Sequence, residues 1–156
     1  MEQYLSILST NACDLKHKSK DLKNKVRYFN SGVFAVQETH YRKKGMFRMK
    51  DYHIFESIRK NKEKGGTMLG IQIGLKPVLV KEYNETFELL VVEVKIADKD
   101  IRIITGYGPQ ENWIHTEKTP FYTTLEEEIA SAELQGRSVI IAMDANAKLW
   151  SKFIPK

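Results

Sequence analysis

The sequence contains one cysteine, Cys13, so no disulfide bond can form within the chain. No apolar run approaches the roughly 18 residues that a membrane-spanning helix requires. The first residues, MEQYLSILSTNACD, have neither a basic stretch before an apolar core nor a small-residue cleavage site, so they do not resemble a secretory signal. These absences predict a protein that is intracellular, nuclear or cytoplasmic, rather than secreted, and that has no membrane partner.

The 156 residues have the composition of one globular domain, because 42% of them are hydrophobic and 29% are charged. The charge is unevenly distributed. Residues 1–64 hold 15 basic and 7 acidic side chains, whereas residues 65–156 hold 10 basic and 13 acidic ones. A basic half favours contact with a polyanion, of which nucleic acid is the commonest. A solvated, lysine-rich surface is the alternative that composition leaves open.

Short apolar and β-branched segments alternate with two stretches of helical periodicity, which predicts one α/β domain with mostly antiparallel strand pairs. The first helix is predicted within residues 14–29. The second is expected to start at Thr119-Pro120, because proline is tolerated in a first helical turn, and to end at Gly136. Strands are predicted at 4–10, 32–38, 52–57, 67–74, 78–83, 86–96, 101–107 and 138–143, with a hairpin turn at Asp98–Asp100 and the last strand fully buried.

Polar side chains stand where four of these predicted strands end. They are Asn11, Glu38, Tyr107, and the pair Asp144 and Asn146. Active sites of α/β proteins collect at strand ends, because the loops there present side chains on a rigid base. Each residue taken alone could be an ordinary turn or surface residue, but together they combine metal-ligand and proton-transfer chemistry.

Five short motifs carry these residues in a fixed order: STN, VQET, GGT, GYGP and MDAN. In order and spacing they resemble the exonuclease–endonuclease–phosphatase superfamily, and most of all the endonuclease domains of non-LTR retrotransposons. The NA-x-x-W run from Asn146 to Trp150 adds to this resemblance. It implies a DNase I-like four-layer α/β sandwich, in which two mostly antiparallel sheets pack face to face.

The resemblance also implies a role for each residue. Glu38 is expected to be the principal ligand of Mg²⁺, for which Mn²⁺ can substitute; one carboxylate suffices for a cation that keeps several waters. Asn11 is expected to position metal-bound water or phosphate, and Tyr107 to hydrogen-bond a phosphate oxygen. Asp144 would orient or deprotonate the attacking water, and Asn146 would donate to the phosphoryl oxygen that gains charge.

A basic loop follows Glu38 directly. Its cations are expected to contact the DNA backbone, and the interleaved Tyr41 and Phe47 to stack on exposed bases. A merely solubilising loop is the alternative. The residues proposed for nucleic-acid contact are Arg42, Lys43, Lys44 and Arg48.

The sequence departs from the family at its end. The family closes with a serine–aspartate–histidine motif, whereas the last histidine here is His115. Residues 1–156 are therefore expected to form the amino-terminal portion of the domain, with an incomplete second sheet. Losing a positioned proton-transfer group lowers a rate by about 10²–10⁴, so turnover is expected to be feeble. The missing segment, or a reverse transcriptase domain, would then be a partner.

The function implied by the resemblance is Mg²⁺-dependent nicking of DNA. Two alternatives stay open. One is a catalytically inactive remnant that binds nucleic acid or a partner chain, which the missing histidine favours. The other is a phosphoesterase acting on inositol or lipid phosphates, for which the residues around Asp144 and Asn146 provide no specific match.

Overall fold

The computed structural model describes residues 4–60, 64–110 and 112–146. Eight strands, two α-helices and one short 3₁₀-helix (Ile73–Leu75) make up this part of the chain. The strands are β1 (Ile7–Asn11), β2 (Val33–Gln37), β3 (Tyr52–Ser57), β4 (Thr67–Gln72), β5 (Val78–Tyr83), β6 (Glu88–Ile96), β7 (Lys99–Tyr107) and β8 (Ser138–Ile141), and the helices are α1 (Ser19–Tyr28) and α2 (His115–Leu134).

The strands form two four-stranded sheets, in the orders β1-β2-β4-β3 and β5-β6-β7-β8. The β1–β2 and β7–β8 pairs are parallel, and the other four pairs are antiparallel. A central apolar cluster joins the two sheets, with Val33 and Leu69 from the first and Val92 and Ile103 from the second. This is the predicted sandwich of two mostly antiparallel sheets.

Each sheet has its other face covered by a helix. Side chains alternate along β2, so Phe34 and Val36 point away from the central cluster and pack against Leu22 and Val26 of α1. Phe121 of α2 packs in the same way against the outer face of the second sheet. The layers are therefore helix, sheet, sheet and helix, and β2 is buried on both faces. Neither described helix is long and apolar enough to cross a membrane.

Both helices begin at positions that differ from the prediction. α1 starts at Ser19 rather than near Asp14, because Cys13 and Asp14 have positive φ angles and Asp14 Oδ1 accepts a hydrogen bond from Lys16 N. α2 starts at His115, after the extended backbone of Ile114, so Pro120 lies inside the helix rather than at its start.

Two further predictions are wrong. β8 is not fully buried: Ile141 is 45% exposed, because β8 lies at the edge of its sheet and pairs with β7 alone among the described strands. The hairpin between β6 and β7 turns at Ala97-Asp98 rather than over Asp98–Asp100, with Ala97 in a left-handed conformation. The tighter turn extends the ladder to the pair of Ile96 with Lys99.

Candidate active site

The structure brings the five predicted strand-end residues together at one edge of the sandwich. Because β1 and β2 are parallel, their carboxyl ends meet there, and the parallel β7–β8 pair supplies the facing edge of the second sheet. An isolated bridge between Tyr107 and Asp144 continues that pairing. The five residues are Asn11, Glu38, Tyr107, Asp144 and Asn146.

Two side-chain contacts join the sheets at this edge. Asn11 Nδ2 donates to Asp144 Oδ2 at 3.1 Å, which links residues 133 positions apart. The Tyr107 hydroxyl donates a short hydrogen bond to Glu38 Oε1. Two residues of the first sheet are thus held directly against two of the second.

The turn after β8 is fastened to the end of β7 by backbone contacts. Gly108 N donates to the Asp144 carbonyl at 2.7 Å, and Asn146 Nδ2 donates to the Gly108 carbonyl at 2.8 Å. A Cβ atom at Gly108 would lie 2.4 Å from the carbonyl oxygen of Ala145, so only glycine allows this approach. Asn146 N also donates to Asp144 Oδ1 at 3.0 Å, which orients the carboxylate.

The segment carrying Glu38 is held from both sides by backbone hydrogen bonds. On one side, Asp14 N donates to the Glu38 carbonyl at 2.9 Å. On the other, Thr39 N and His40 N donate to the carbonyls of Gly66 and Gly65, at 3.1 and 2.8 Å. The backbone groups of this irregular strand end are therefore paired as those of a strand would be.

Unusual backbone conformations concentrate here. Nine described non-glycine residues have positive φ angles, and five of them surround the site: Cys13, Asp14, Glu38, His40 and Asn146. Such conformations are uncommon for residues with a Cβ, and they persist where the surroundings impose them. Their concentration at one edge makes that edge the candidate functional site.

The electrostatics keep Glu38 ionised. Burial raises the pKa of Glu38, but hydrogen bonds from Tyr107, Cys13 and Asn11 outweigh it, so the net pKa lies below the ordinary value. The pKa of Tyr107 is raised, first by burial and then by its hydrogen bond to Glu38. The pair therefore consists of a carboxylate and a neutral phenol across the physiological range.

The donor set suits a hard cation. Glu38 has a 19% exposed side chain, and its neighbours contribute the amide oxygen of Asn11 and the carboxylate of Asp144. Within the described ranges, no group of three His, Cys, Asp or Glu side chains is arranged to hold a metal. Mg²⁺ binds through one or two carboxylates and retains several waters, and Glu38 and Asp144 are two such carboxylates.

One histidine of the described chain lies beside this cluster. His40 Nε2 is buried without a hydrogen-bond partner and is 3.9 Å from Glu38 Oε2. His115 is exposed on α2, where Thr119 Oγ1 donates to its carbonyl. The sequence-predicted Trp150 lies outside the described residues.

The basic loop divides into two faces. Arg42 and Lys43 line a groove of about 750 Å³ beside His40, with Lys16 and Lys64 on its walls. The other two cations predicted to bind DNA, Lys44 and Arg48, line a different depression of about 570 Å³. Lys44 Nζ is also paired with Glu82 Oε2 at 2.6 Å.

The expectation that Phe47 stacks on bases is wrong. Phe47 is 2% exposed and packs edge-on against Phe34 in the cluster beneath α1. Tyr41, the other interleaved aromatic, is half-buried and lines the groove. The burial of Phe47 could not be predicted from hydrophobic periodicity, because the loop has no regular secondary structure.

Sequence reasoning did not select Glu88, which lies under the site. It is fully buried at the start of β6 and accepts hydrogen bonds from Gly66 N and Thr67 Oγ1. The sequence signal was a glutamate within the apolar run FELLVV, where a charge without partners is costly to bury.

Comparison with known proteins gives matches among solved structures. No protein-family model matches the chain, and no curated protein does. The endonuclease domain of TRAS1, a telomere-specific non-LTR retrotransposon, is 17% identical with a TM-score of 0.64, over 94% of this chain and 61% of that one. TDP2 of D. rerio complexed with a single-strand DNA product is 19% identical with a TM-score of 0.68, over 93% and 62%.

The AP endonuclease LMAP from Leishmania major is 13% identical, with a TM-score of 0.73 over 90% of this chain and 54% of that one. This chain thus spans less than two thirds of the length of these structures. They have the DNase I-like fold of the exonuclease–endonuclease–phosphatase superfamily, and the fold implied by the sequence motifs is confirmed.

Proposed function

We propose that this chain hydrolyses phosphodiester bonds of DNA with a bound Mg²⁺ or Mn²⁺, nicking one strand. The observation that carries the proposal is the junction of the two sheets by Asn11 with Asp144 and by Glu38 with Tyr107. These side chains combine a carboxylate for a hard cation, a second carboxylate for a water proton, and neutral donors for phosphate oxygens. In-line attack on a phosphodiester needs those three elements within a few ångströms.

Each side chain has a distinct task in this proposal. Glu38 and Asn11 would hold the metal and its waters, and the bound cation supplies positive charge against the phosphate oxygens. Asp144 is oriented by Asn146 N and Asn11 Nδ2, and as an acceptor-only group it can take a proton from the attacking water. Tyr107 and Asn146 would donate to the phosphate.

The proposed path of the DNA backbone is the groove beside His40. It opens next to Glu38 and is lined by Lys16, Arg42, Lys43 and Lys64 against a single carboxylate, that of Asp14. Phosphate contacts of this kind position a strand without reading its sequence. The known structures with this fold include two named as endonucleases and one complexed with a single-strand DNA product, which supports a nucleic-acid substrate.

A second candidate is a module that binds DNA without cutting it. It is favoured by the position of His115, which is exposed on α2 and is not among the residues joined around Glu38. If the chain does cut DNA, His40, which lies beside Glu38, is the first residue to test for proton transfer to the leaving group.

Nicking of supercoiled plasmid in Mg²⁺ tests the proposal, with Asp144→Ala as the variant and Asp100→Ala as its matched control. Asp100 is an exposed carboxylate at the remote β6–β7 hairpin. The proposal expects nicking that requires metal, is lost in Asp144→Ala and survives in Asp100→Ala. Equal nicking by Asp144→Ala and wild type would contradict it. Salt-dependent DNA binding with no nicking would support the binding module instead.

A further inference from the structure

Glu88 holds the loop that in turn holds the backbone beside Glu38. Gly66 N donates to both carboxylate oxygens of Glu88, each at 3.0 Å, and Thr67 Oγ1 donates to Oε2 at 3.1 Å. Glu88 is fully buried, so these bonds form away from solvent. Hydrogen bonds to a buried charged acceptor are stronger than neutral ones and are costly to leave unmade.

The charge of Glu88 is balanced by a buried arginine. Arg59 Nε lies 3.2 Å from Glu88 Oε1, and the Arg59 side chain is only 7% exposed. Its guanidinium also lies over the ring of Trp113, 5.2 Å from the centroid. Arg59 follows β3 and Trp113 follows the Tyr107 loop, so this pair connects elements of both sheets beneath the site.

The loop transmits the position of Glu88 to the Glu38 segment through close contacts. The Gly66 and Gly65 carbonyls accept from Thr39 N and His40 N. A Cβ at Gly66 would lie 2.3 Å from Thr39 Oγ1, and one at Gly65 would lie 2.6 Å from Glu88 Oε1. Gly65 therefore packs tightly against the Glu88 carboxylate, and Gly66 packs tightly against Thr39. A shift of the carboxylate would move the Gly65–Gly66 loop.

Glu88 is also the register partner of Tyr107 across β6 and β7. Tyr107 donates to Glu38, so one buried residue is tied to both members of that pair: to Tyr107 by the strand ladder and to Glu38 by the Gly65–Gly66 loop.

We infer that Glu88, with Arg59, is a positioning residue that fixes the Glu38 carboxylate opposite Tyr107 through the Gly65–Gly66 loop. The link to metal rests on the proposed function, in which Glu38 is the metal ligand, but the link to the Glu38 backbone does not. A merely structural ion pair would stabilise the whole domain without any specific effect on residues 38–40.

The same strand supplies a matched control. Glu93 lies five residues further along β6, and its Oε1 is 2.7 Å from Nη2 of Arg102, a residue whose side chain is 3% exposed. Glu93 and Arg102 face each other in the β6–β7 register, at the far side of the ladder from Tyr107. Glu88→Gln and Glu93→Gln thus each neutralise a carboxylate that is paired with a buried arginine. Only Glu88→Gln also places an amide N–H₂ group against the donors Gly66 N and Thr67 Oγ1.

Amide hydrogen exchange by NMR, in the absence of metal, tests the inference directly. The exchange rates of Thr39 and His40 are divided by that of Val36, in the middle of β2, which corrects for a change in global stability. We expect this ratio to rise by roughly tenfold or more in Glu88→Gln, because a hydrogen bond to a charged acceptor is lost. We expect no rise in Glu93→Gln. Equal ratios in the two variants would overturn the inference.

Calorimetric titration with Mn²⁺ provides a second readout on the same proteins. Glu88→Gln is expected to bind Mn²⁺ about tenfold more weakly than Glu93→Gln, because the Glu38 carboxylate would be held less firmly in position. If the exchange effect appears but wild type binds no Mn²⁺, the positioning role stands and the proposed metal function fails. If Glu88→Gln does not fold, Thr67→Val removes one hydrogen bond to Glu88, and unchanged exchange at Thr39 and His40 in that variant would overturn the inference.

Discussion

Glu38 combines an uncommon backbone conformation with a strongly hydrogen-bonded carboxylate. Its φ of 54° would be relaxed by glycine, yet the chain places a glutamate there and holds it by backbone pairing on both sides. Residues in such conformations persist where the surrounding structure imposes them, and the surroundings here are the two sheet edges. The conformation directs the carboxylate towards Tyr107 and Cys13 rather than along the strand.

Replacing Tyr107 by phenylalanine should destabilise the protein in a pH-dependent way. The lowered pKa of Glu38 means that its stabilising contribution is present above the ordinary value of 4.5 and is lost as pH falls through the lowered pKa. Tyr107→Phe removes a donor to that carboxylate, so the loss should be about 1 kcal/mol at pH 7, after allowance for partial exposure, and smaller at pH 3.5.

Urea unfolding of wild type and Tyr107→Phe at the two pH values measures this difference. Tyr28→Phe is the control, because Tyr28 is 83% exposed at the end of α1. A loss of stability in Tyr107→Phe that is the same at both pH values would mean that the hydroxyl does not act on the Glu38 charge.

Among the connections between strands, the loop between β2 and β3 has two faces with different surroundings. Arg42 and Lys43 line the groove beside the site, whereas Lys44 and Arg48 line the other side and Lys44 is already paired with Glu82. Replacing Arg42 and Lys43 together by alanine should make the negative slope of log affinity against log salt for duplex DNA shallower by roughly two.

The double variant Lys44→Ala/Arg48→Ala removes the same charge from the same loop, so it is the matched control. Its salt slope should stay close to that of wild type in a fluorescence-anisotropy titration. If both double variants lower the slope equally, the loop contributes only its net charge, and the groove is not the path of the strand.

The turn after β8 depends on the close approach at Gly108. Gly108→Ala would place a Cβ 2.4 Å from the Ala145 carbonyl oxygen, and overpacking of this kind typically costs about 1–3 kcal/mol. The backbone shift should also separate Asp144 from Asn11. We therefore expect Gly108→Ala to lower the melting temperature and to abolish nicking under conditions where the variant remains folded.

Gly74→Ala controls for the loss of a glycine, because a Cβ at Gly74 meets no atom within 4 Å. It should leave stability and nicking nearly unchanged in parallel thermal-melting and plasmid assays. Wild-type nicking by folded Gly108→Ala would show that the Gly108–Ala145 approach is not needed to place Asp144.

At the scale of the whole molecule, the sequence was sufficient for the fold and for the identity of the five strand-end residues. Their motifs occur in a recognisable order, and apolar segments such as VFAVQ and ELLVVEV show the buried strands directly. The convergence of Asn11 and Asp144, 133 positions apart, follows from the parallel ends of strands in two packed sheets. The assigned chemical roles remain predictions.

Other features could not be predicted, because they depend on packing between distant segments. Phe47 is buried since the loop folds back under α1, and no local periodicity records that contact. Glu88 gains its partners from residues 59 and 66, in the connection between β3 and β4, and from residue 67 at the start of β4. The position of Pro120 inside α2 was not predicted, because proline is commonest in the first turn of a helix. The helix instead begins five residues earlier, at His115, after the extended Ile114.

The proposed binding of a divalent metal at Glu38 can be measured through the free energy of unfolding with and without Mg²⁺. This measurement does not depend on how fast the chain turns over. At a free Mg²⁺ concentration about ten times the Kd, binding to the folded state alone should stabilise wild type by roughly 1.4 kcal/mol. Glu38→Ala should lose that increment, and Glu126→Ala, which removes an exposed carboxylate on α2, should retain it. The same Mg²⁺ increment in Glu38→Ala as in wild type, or none in any of the three proteins, would show that Glu38 does not hold a divalent metal.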